Sequence, residues 1–495
     1  MALTVLCISF TIFLLLGVPV AFSIALSCLA TYWVEGFPLE LAFQNMISGM
    51  NVFSFLAIPF FVFSGELMLH GGIADKIVNF ARNVVGHWRG GLGMANVVAC
   101  TLFGGVSGSP VADVSAMGGV MIPMMKKEGY SADYAVNVTT HAALCGALMP
   151  TSHNMIIYAF AASSTAGMLA GPNVMVKGAS IGELMFAGLL PVVVLMVCML
   201  IAAYWVAKKE GYPRRPDGSD RLDPFAGWHA VLTSFIAAIP GMFVVIIILT
   251  CIIMGVTTAT EAAGIAVTYS LFLTFVGYRT MNWAKLMKAA AKAAKTTGVV
   301  LLLIGVSTMF QYIMAILEIP DKTANALLSA TTNPYVMFFL INMILFLLGT
   351  FMDMASTILI CTPLFLPLAL QMGMGPVQFG MVMLLNCALG LNTPPVGTTQ
   401  FVGCAIGEVS VEQVMKSILP FYGALFAVMA VVTYVPWFSL WIPTLIKGAP
   451  VYSAGRRRSI PERNVNETRR YRWWNKALRD HRRPRFRRSH AGRVQ

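Results

Sequence analysis

Groups that could bind a ligand are concentrated in four polar stretches within strongly apolar sequence. These stretches lie at 104–110, 141–154, 349–353 and 386–400, and they combine glycine or proline with hydroxyl, amide or carboxyl groups. Ligand sets made only of oxygen suit Na⁺ better than a transition metal. We therefore predict that a cation is bound by Ser107, Gly108, Ser109, Thr151, Ser152, Asn154, Gly349, Asp353, Thr393, Thr398 and Thr399.

The two longer stretches, 141–154 and 386–400, each break what would otherwise be a membrane helix. Proline removes a backbone donor, so the freed carbonyls need protein or a water-lined cavity around them. A break also exposes helix N-termini, which attract anions. Neither break contains lysine or arginine, so an anionic substrate would depend on bound cations, helix N-termini and hydroxyls. His153 could contact substrate or could be a hydrogen-bonded helix residue.

Two acids, Asp113 and Asp353, lie within the apolar segments 92–125 and 334–371. A buried acid in a membrane is costly and indicates function by default. The alternative for Asp113 is a helix N-cap, and for Asp353 a tip residue exposed to water. Glu261 follows a Thr-x-Thr sequence at a predicted helix start, which favours capping.

Composition indicates the class of protein that must position these groups. The chain has 495 residues, 57% of them hydrophobic and 11% charged, with a mean hydropathy of +0.74. Apolar runs of about 20 residues, the length that crosses a bilayer, recur along it. We predict an all-α polytopic membrane protein within a lipid bilayer. The nine cysteines show no metal-binding or disulfide spacing, so we expect no disulfide, no cofactor and no metal other than Na⁺.

The net charge of +13 belongs to the carboxyl-terminal tail. Residues 455–495 hold 14 Arg and 1 Lys against 3 acids, or +12, which leaves 34 − 15 = 19 basic and 21 − 3 = 18 acidic residues, or +1, for the rest. We interpret the tail 446–495 as a disordered appendage. Contact with anionic lipid is an alternative; a nucleic-acid-binding arm is less favoured, and we expect no nucleic-acid partner.

Hydropathy predicts nine full spans and two interrupted segments. We interpret 92–125 and 334–371 as re-entrant hairpins, the alternative being two ordinary spans each, and 131–164 and 377–407 as broken helices. The full spans, with the two broken helices among them, are 3–33, 53–70, 131–164, 182–207, 228–254, 258–279, 298–318, 377–407 and 417–443.

The order of these segments suggests an inverted repeat. A shift of 244 residues lays Gly105 on Gly349, Gly146 on Gly390 and Pro150 on Pro394. Each half has four full spans and a hairpin, and the connecting span 228–254 makes the number of crossings before the second half odd, so the second half is inverted. The positive-inside rule agrees, with the amino terminus in the cytoplasm. The predicted units are a first repeat at 1–227, a connecting span at 228–254 and a second repeat at 255–445.

Five long motifs follow one another along the chain. They are GGVSGSPVADVSAMGGVMIPMMKKEGYS (104–131), PTSHNMIIYA (150–159), TATEAAGIAV (258–267), GTFMDMASTILICTPLFLP (349–367) and NCALGLNTPPVGTTQFV (386–402). In this order they closely resemble the large membrane subunit (DctM type) of TRAP transporters. The resemblance covers about residues 1–445, and one departure is the single proline in MPTSHN, where a double proline is expected.

The resemblance implies a non-enzymatic transporter of the ion-transporter superfamily, with a scaffold and a transport domain that moves as an elevator. It implies import driven by Na⁺, a small four-helix membrane subunit and a periplasmic solute-binding protein that delivers a carboxylate, all at the bacterial inner membrane. It places Na⁺ sites at the hairpin tips and breaks, Pro394 included. Candidate substrate contacts are His153, Asn154, Asn392 and Thr398.

Two other functions remain open at this point. One is a self-sufficient Na⁺/carboxylate symporter of the same superfamily, without a binding protein. The other is a channel or membrane enzyme. The chain contains no P-loop, GxGxxG, HExxH or GxSxG motif, so neither ATP hydrolysis nor a familiar intramembrane hydrolase is supported.

Overall fold

The computed structural model describes residues 2–169, 178–212, 225–254, 256–394 and 397–447, and within these ranges all regular secondary structure is helical. Six of the helices are long and apolar enough to cross a membrane, or up to eight if each of two bent pairs forms one span. The prediction of an all-α polytopic membrane protein is confirmed. The predicted tail, 446–495, lies outside the described residues except for its first two.

The amino-terminal region differs from the single span expected at 3–33. Two short helices pack against each other there. Gly17 adopts a left-handed φ of +77°, and Pro19 lacks the N–H that would continue the first helix. The helices of this region are α1 (Ala2–Leu15), α2 (Val20–Val34), α3 (Leu39–Met50), α4 (Ala57–His70) and α5 (Ile73–Val85).

The segment expected to form the first hairpin consists of two helical arms, and the second arm contains a π-helical turn at Val114–Gly118. The next helix is interrupted after a 3-10 segment at Ala143–Leu148, and Ser131 caps its start by accepting from the Tyr134 N–H at 3.4 Å. The helices are α6 (Gly91–Ser107), α7 (Pro110–Asp113), α8 (Gly119–Lys127), α9 (Ala132–Ala142), α10 (His153–Leu169), α11 (Ile181–Ala187) and α12 (Leu189–Glu210).

The middle of the chain contains the longest helix, 34 residues, among those described. It joins the expected span 298–318 to the lysine-bearing segment before it, because no residue there breaks the helix. Thr258 and Glu261 form a capping box, which confirms the capping role predicted for Glu261. The helices are α13 (Trp228–Ile253), α14 (Ala259–Phe272), α15 (Trp283–Ile316) and α16 (Ile319–Ala330).

The carboxyl-terminal region again contains two helical arms followed by an interrupted helix. The last expected span, 417–443, is two helices bent by 56°. The helices are α17 (Pro334–Phe351), α18 (Met354–Gln371), α19 (Pro376–Leu391), α20 (Thr398–Gly407), α21 (Val411–Lys416), α22 (Leu419–Tyr434) and α23 (Trp437–Lys447).

The interrupted helices lie in the main hydrophobic core. Every residue of α19 is buried, as is α9 from Tyr134 onwards, so protein rather than lipid surrounds the broken backbone. A second, separate core cluster is formed mainly by α1, α2, α3 and α15. The lysine-bearing start of α15 is tied to α4 by an ion pair, in which Lys292 Nζ lies 2.9 Å from Glu66 Oε1.

Candidate functional site

The first candidate site begins at the turn between α6 and α7. The first arm ends at Ser107, Gly108 takes a left-handed φ of +64°, and Ser109 is extended before Pro110 starts the second arm. A left-handed residue strongly favours glycine, and proline is well suited to the first position of a helix. The sequence GSP therefore reverses the chain within two residues.

This turn lies directly against the break between α9 and α10. A Cβ at Gly108 would overlap the carbonyl oxygen of Thr151 and would lie 2.8 Å from the Ser152 nitrogen. The Thr151 hydroxyl donates to the Gly105 carbonyl at 2.9 Å. The structure thus brings the first two groups of predicted ligands, from 107–109 and 151–154, into backbone contact.

Asp113 is fully buried beside the same turn. The Ser107 hydroxyl donates to its Oδ1, while its Oδ2 has no hydrogen-bond partner among the described residues. A Cβ at Gly146 would overlap Oδ2, and one at Gly104 would lie 3.0 Å from it. Asp113 therefore lies within its helical arm between two glycines and is not an N-cap, because Ser109 occupies that position of α7.

The turn between α17 and α18 is built differently. Asp353 is the N-cap of α18, and its carboxylate accepts from the N–H groups of Ala355 at 3.1 Å and Ser356 at 3.3 Å and from the Ser356 hydroxyl. It is half-buried. A Cβ at Gly390 would lie 2.7 Å from the Cα of Gly349, so this arm too contacts the helix that is interrupted after it.

At the second break, α19 ends at Leu391 and α20 begins at Thr398. The Thr393 hydroxyl donates to the Leu389 carbonyl at 2.9 Å. The Tyr422 hydroxyl, on α22, lies 2.9 Å from Thr393 Oγ1 and 3.1 Å from the Asn392 carbonyl oxygen. Helix α22 therefore contacts the second break, and the sequence analysis did not predict this contact.

The four predicted substrate contacts all lie at helix ends facing a break. His153 and Asn154 start α10, Asn392 follows α19, and Thr398 starts α20. In the described part of the chain, no hydrogen bond or ion pair joins Asp353 to the predicted ligands Thr393, Thr398 and Thr399. Burial of the remaining groups differs: Asn154, Asn392 and Thr399 are buried, and His153, Pro394 and Thr398 are half-buried.

The two interrupted regions are interlocked. Helix α20 packs on α9, where a Cβ at Gly403 would overlap the Thr140 side chain, and α10 packs on α18. Lys126, at the end of the first hairpin segment, donates to the Gly407 carbonyl at the end of α20 at 3.0 Å. Elements from both halves of the chain therefore enclose one region.

Two residues of this region were absent from the predicted site. Asp113 had a visible signal, since an acid inside an apolar arm is unusual. Tyr422 had none, because one tyrosine on an apolar helix cannot be distinguished from packing. Among the described residues no group of three or more His, Cys, Asp or Glu could hold a metal. The oxygen atoms of this region belong to hydroxyls, amides, carbonyls and the carboxylates of Asp113 and Asp353.

Comparison with known proteins decides the family. Residues 7–438 match the family model described as the DctM component of the tripartite ATP-independent periplasmic transporter. The chain belongs to the DctM family. Its resemblance to TRAP large membrane subunits is thereby confirmed, and as a member of a transporter family it is not expected to catalyse a covalent reaction.

Characterised relatives agree with the DctM assignment. The chain is 32% identical over 436 residues to the C4-dicarboxylate TRAP transporter large permease protein DctM of Rhodobacter capsulatus, which covers 88% of this chain and 97% of that protein. It is 33% identical over 433 residues to the sialic acid TRAP transporter large permease protein SiaM of Vibrio cholerae, which covers 87% and 96%.

A solved structure supports the fold of this DctM-family chain. The YdaH transporter of Alcanivorax borkumensis superposes with a TM-score of 0.57 at 13% identity, over 84% of this chain and 90% of that one. At this identity the likeness concerns the fold alone, which is that of a membrane transporter.

Proposed function

We propose that this protein is the large membrane subunit of a Na⁺-driven importer of carboxylate solutes in the bacterial inner membrane. The proposal includes a small four-helix membrane subunit and a periplasmic binding protein that delivers the solute. The observation that carries it is the backbone contact of Gly108 with Thr151 and Ser152, which joins a hairpin turn to a broken helix and leaves no space for a side chain.

Unpartnered hydroxyls support Na⁺ as the coupling ion. Ser152 Oγ at the first break and Thr399 Oγ1 at the second are buried without a hydrogen-bond partner among the described residues. A buried hydroxyl oxygen of this kind is a hard ligand suited to Na⁺. Asp113 accepts a hydrogen bond from Ser107, next to the Gly108 that contacts Ser152, and its carboxylate would balance the charge of a cation at this turn.

Helix orientation supports an anionic solute. Helices α10 and α20 both begin at the breaks, and a helix N-terminus favours negative charge. Names of relatives agree: R. capsulatus DctM is described for C4-dicarboxylates, V. cholerae SiaM for sialic acid and Escherichia coli YiaN for 2,3-diketo-L-gulonate. We propose carboxylates as the solute class on both grounds.

An elevator mechanism is supported by the second core cluster, which α1, α2 and α3 form with the later part of α15, while Val300, Leu303 and Ile304 of α15 belong to the main core. The interrupted helices lie in the main core instead. A helix group with its own core can stay fixed as a scaffold while the main core moves. We propose that α1–α3 and α15 belong to this scaffold.

The test is solute uptake into proteoliposomes that contain this protein and its small subunit, with the cognate binding protein outside. We expect uptake when Na⁺ is higher outside and none when K⁺ replaces it. Uptake without the binding protein would favour the self-sufficient symporter. Uptake independent of Na⁺ would contradict the proposed coupling, and single-channel currents would indicate a channel.

A further inference from the structure

Three buried side chains, one on α9, one on α20 and one just after α19, have polar atoms that the predicted cation ligands do not account for, and only the last of them, Asn392, is a predicted substrate contact. His141 and Gln400 are 0% and 1% exposed, and Asn392 is 0% exposed. Among the described residues no hydrogen-bond partner exists for His141 Nε2, Gln400 Nε2 or either amide atom of Asn392. Buried polar groups in native proteins nearly always have a partner, so this concentration indicates a ligand.

Contacts of Thr140 and Tyr422 connect these residues to one another. Thr140 Oγ1 lies 3.3 Å from Gln400 Oε1 and 3.3 Å from His141 Nδ1. The ring of Tyr422 lies 5.5 Å from the ring of His141, and its hydroxyl reaches the Asn392 carbonyl at 3.1 Å. Thr140 therefore links His141 to Gln400, and Tyr422 links His141 to the backbone of Asn392, so the three residues lie in one neighbourhood beside the second break.

The chemistry of the missing partner follows from the atoms that are already bonded. His141 Nδ1 lies 2.8 Å from the Asn137 carbonyl oxygen. A carbonyl can only accept, so Nδ1 carries the hydrogen and Nε2 is an acceptor that needs a donor. Gln400 accepts from Thr140 through Oε1, which leaves its N–H₂ group in need of an acceptor.

A hydroxyl is the simple group that meets both needs, because it donates one hydrogen bond and accepts others. Na⁺ would suit His141 Nε2 but would be repelled by the Gln400 N–H₂ group. A carboxylate would accept from Gln400 but has no hydrogen to donate to His141. We propose that His141, Gln400 and Asn392 form a binding site for a single hydroxyl group, separate from the cation ligands.

The hydroxyl has two sources that share this chemistry: a buried water molecule, or a hydroxyl of the transported solute. The second source rests on the proposed function, and it would make the site a determinant of preference for hydroxy acids. The first source holds whether or not the protein transports carboxylates.

The experiment is a structure of the full chain in lipid nanodiscs, at a resolution that shows ordered water, in three samples. One sample has no added carboxylate, one has succinate, and one has malate, which differs by a 2-hydroxyl group. We expect non-protein density within hydrogen-bonding distance of both His141 Nε2 and Gln400 Nε2. Density in all three samples identifies water, and density with malate alone identifies the solute hydroxyl.

Absence of this density from all three samples, or a direct bond between His141 and Gln400, would overturn the proposal. A failure of Na⁺-driven uptake would contradict the proposed function and leave the water density unaffected, so the two failures are distinguishable.

A matched pair of variants tests the role of Nε2. In His141→Gln the amide lies near the position of Nε2, and in His141→Asn it lies near Nδ1. We expect the density to persist in His141→Gln and to disappear from His141→Asn, although the latter keeps the bond to Asn137. If the hydroxyl belongs to malate, the Asn variant should also lose its malate-over-succinate uptake preference by about tenfold. If the density instead disappears from His141→Gln and persists in His141→Asn, then His141 has a structural role through its bond to Asn137, and the proposed site is wrong.

Discussion

The hydroxyl of Tyr422 lies 2.9 Å from Oγ1 of Thr393 and thereby fixes the second break from α22. Because Thr393 Oγ1 also donates to the Leu389 carbonyl at 2.9 Å, its hydrogen is committed and its remaining lone pair has a defined direction. A hydroxyl held in this way is oriented in advance for a cation. Tyr422 therefore acts on the candidate site through Thr393, as a positioning residue.

We predict that Tyr422→Phe folds normally but has a lower apparent affinity for Na⁺. The variant keeps the ring that packs on His141 and removes the hydroxyl, whose single hydrogen is within reach of both Thr393 Oγ1 and the Asn392 carbonyl oxygen. Loss of this hydrogen bond is worth about 1 kcal/mol, so the Na⁺ concentration for half-maximal uptake should rise about fivefold. The measurement is uptake as a function of Na⁺. The control is Tyr434→Phe, whose hydroxyl bonds the Tyr335 carbonyl at 3.0 Å at an exposed position. An equal effect in both variants would show that Tyr422 has no specific role.

The contact of Gly108 with the first break gives a second prediction. Gly108→Ala should abolish uptake, because the new Cβ would overlap backbone atoms of Thr151, which cannot move aside as a flexible side chain could. Gly373→Ala is a matched control, since Gly373 also has a left-handed φ, +89°, but has no atom within 4 Å of its added Cβ. Both variants place alanine at a positive φ, which costs about 1 kcal/mol.

We expect the Gly373 variant to lose some thermal stability and to keep its uptake. The Gly108 variant should lose uptake even where its surface expression matches that of the control. Normal uptake with Gly108→Ala would mean that the turn and the break separate during the cycle and that their contact is unimportant for transport.

The polar breaks could be located from the sequence because glycine, proline and hydroxyl residues are conspicuous against an apolar background. In the structure, the turn at 108–109 and the interruptions before 153 and 398 lie inside the predicted stretches. The sequence could not show that 3–33 is two helices, since a Gly-Val-Pro sequence is compatible with a kinked span as well as with a turn. The partners of Asp113 and Thr393 were also beyond reach. Asp113 packs against Gly146 and Thr393 bonds to Tyr422, and such contacts depend on tertiary packing that leaves no periodic signal.

The capping role of Asp353 yields a third prediction that separates structure from cation binding. Asp353→Asn keeps an oxygen that can cap α18 and removes the charge, whereas Asp353→Ala removes both. Loss of an N-cap costs about 1 kcal/mol, so the alanine variant should unfold at a lower temperature and the asparagine variant should not. If the carboxylate contributes to the cation site, both variants should require more Na⁺ for uptake. Na⁺ dependence unchanged in both would assign Asp353 to capping alone.

The buried Asp113 carboxylate gives the last prediction. An unpaired buried charge destabilises a folded protein, and the Oδ2 atom of Asp113 has no partner among the described residues. Asp113→Asn keeps the shape between Gly104 and Gly146 and removes the charge. Without Na⁺, the variant should therefore unfold at a higher temperature than the wild type. Adding Na⁺ should stabilise the wild type and should stabilise the variant much less, because the charge that a cation would compensate is gone.

Thermal unfolding in nanodiscs with Na⁺ or with K⁺ measures both effects on Asp113→Asn. The control for a general change in charge is Glu40→Gln, at an exposed acid in the first turn of α3. An Asp113→Asn variant that gains as much stability from Na⁺ as the wild type would remove Asp113 from any role in cation binding.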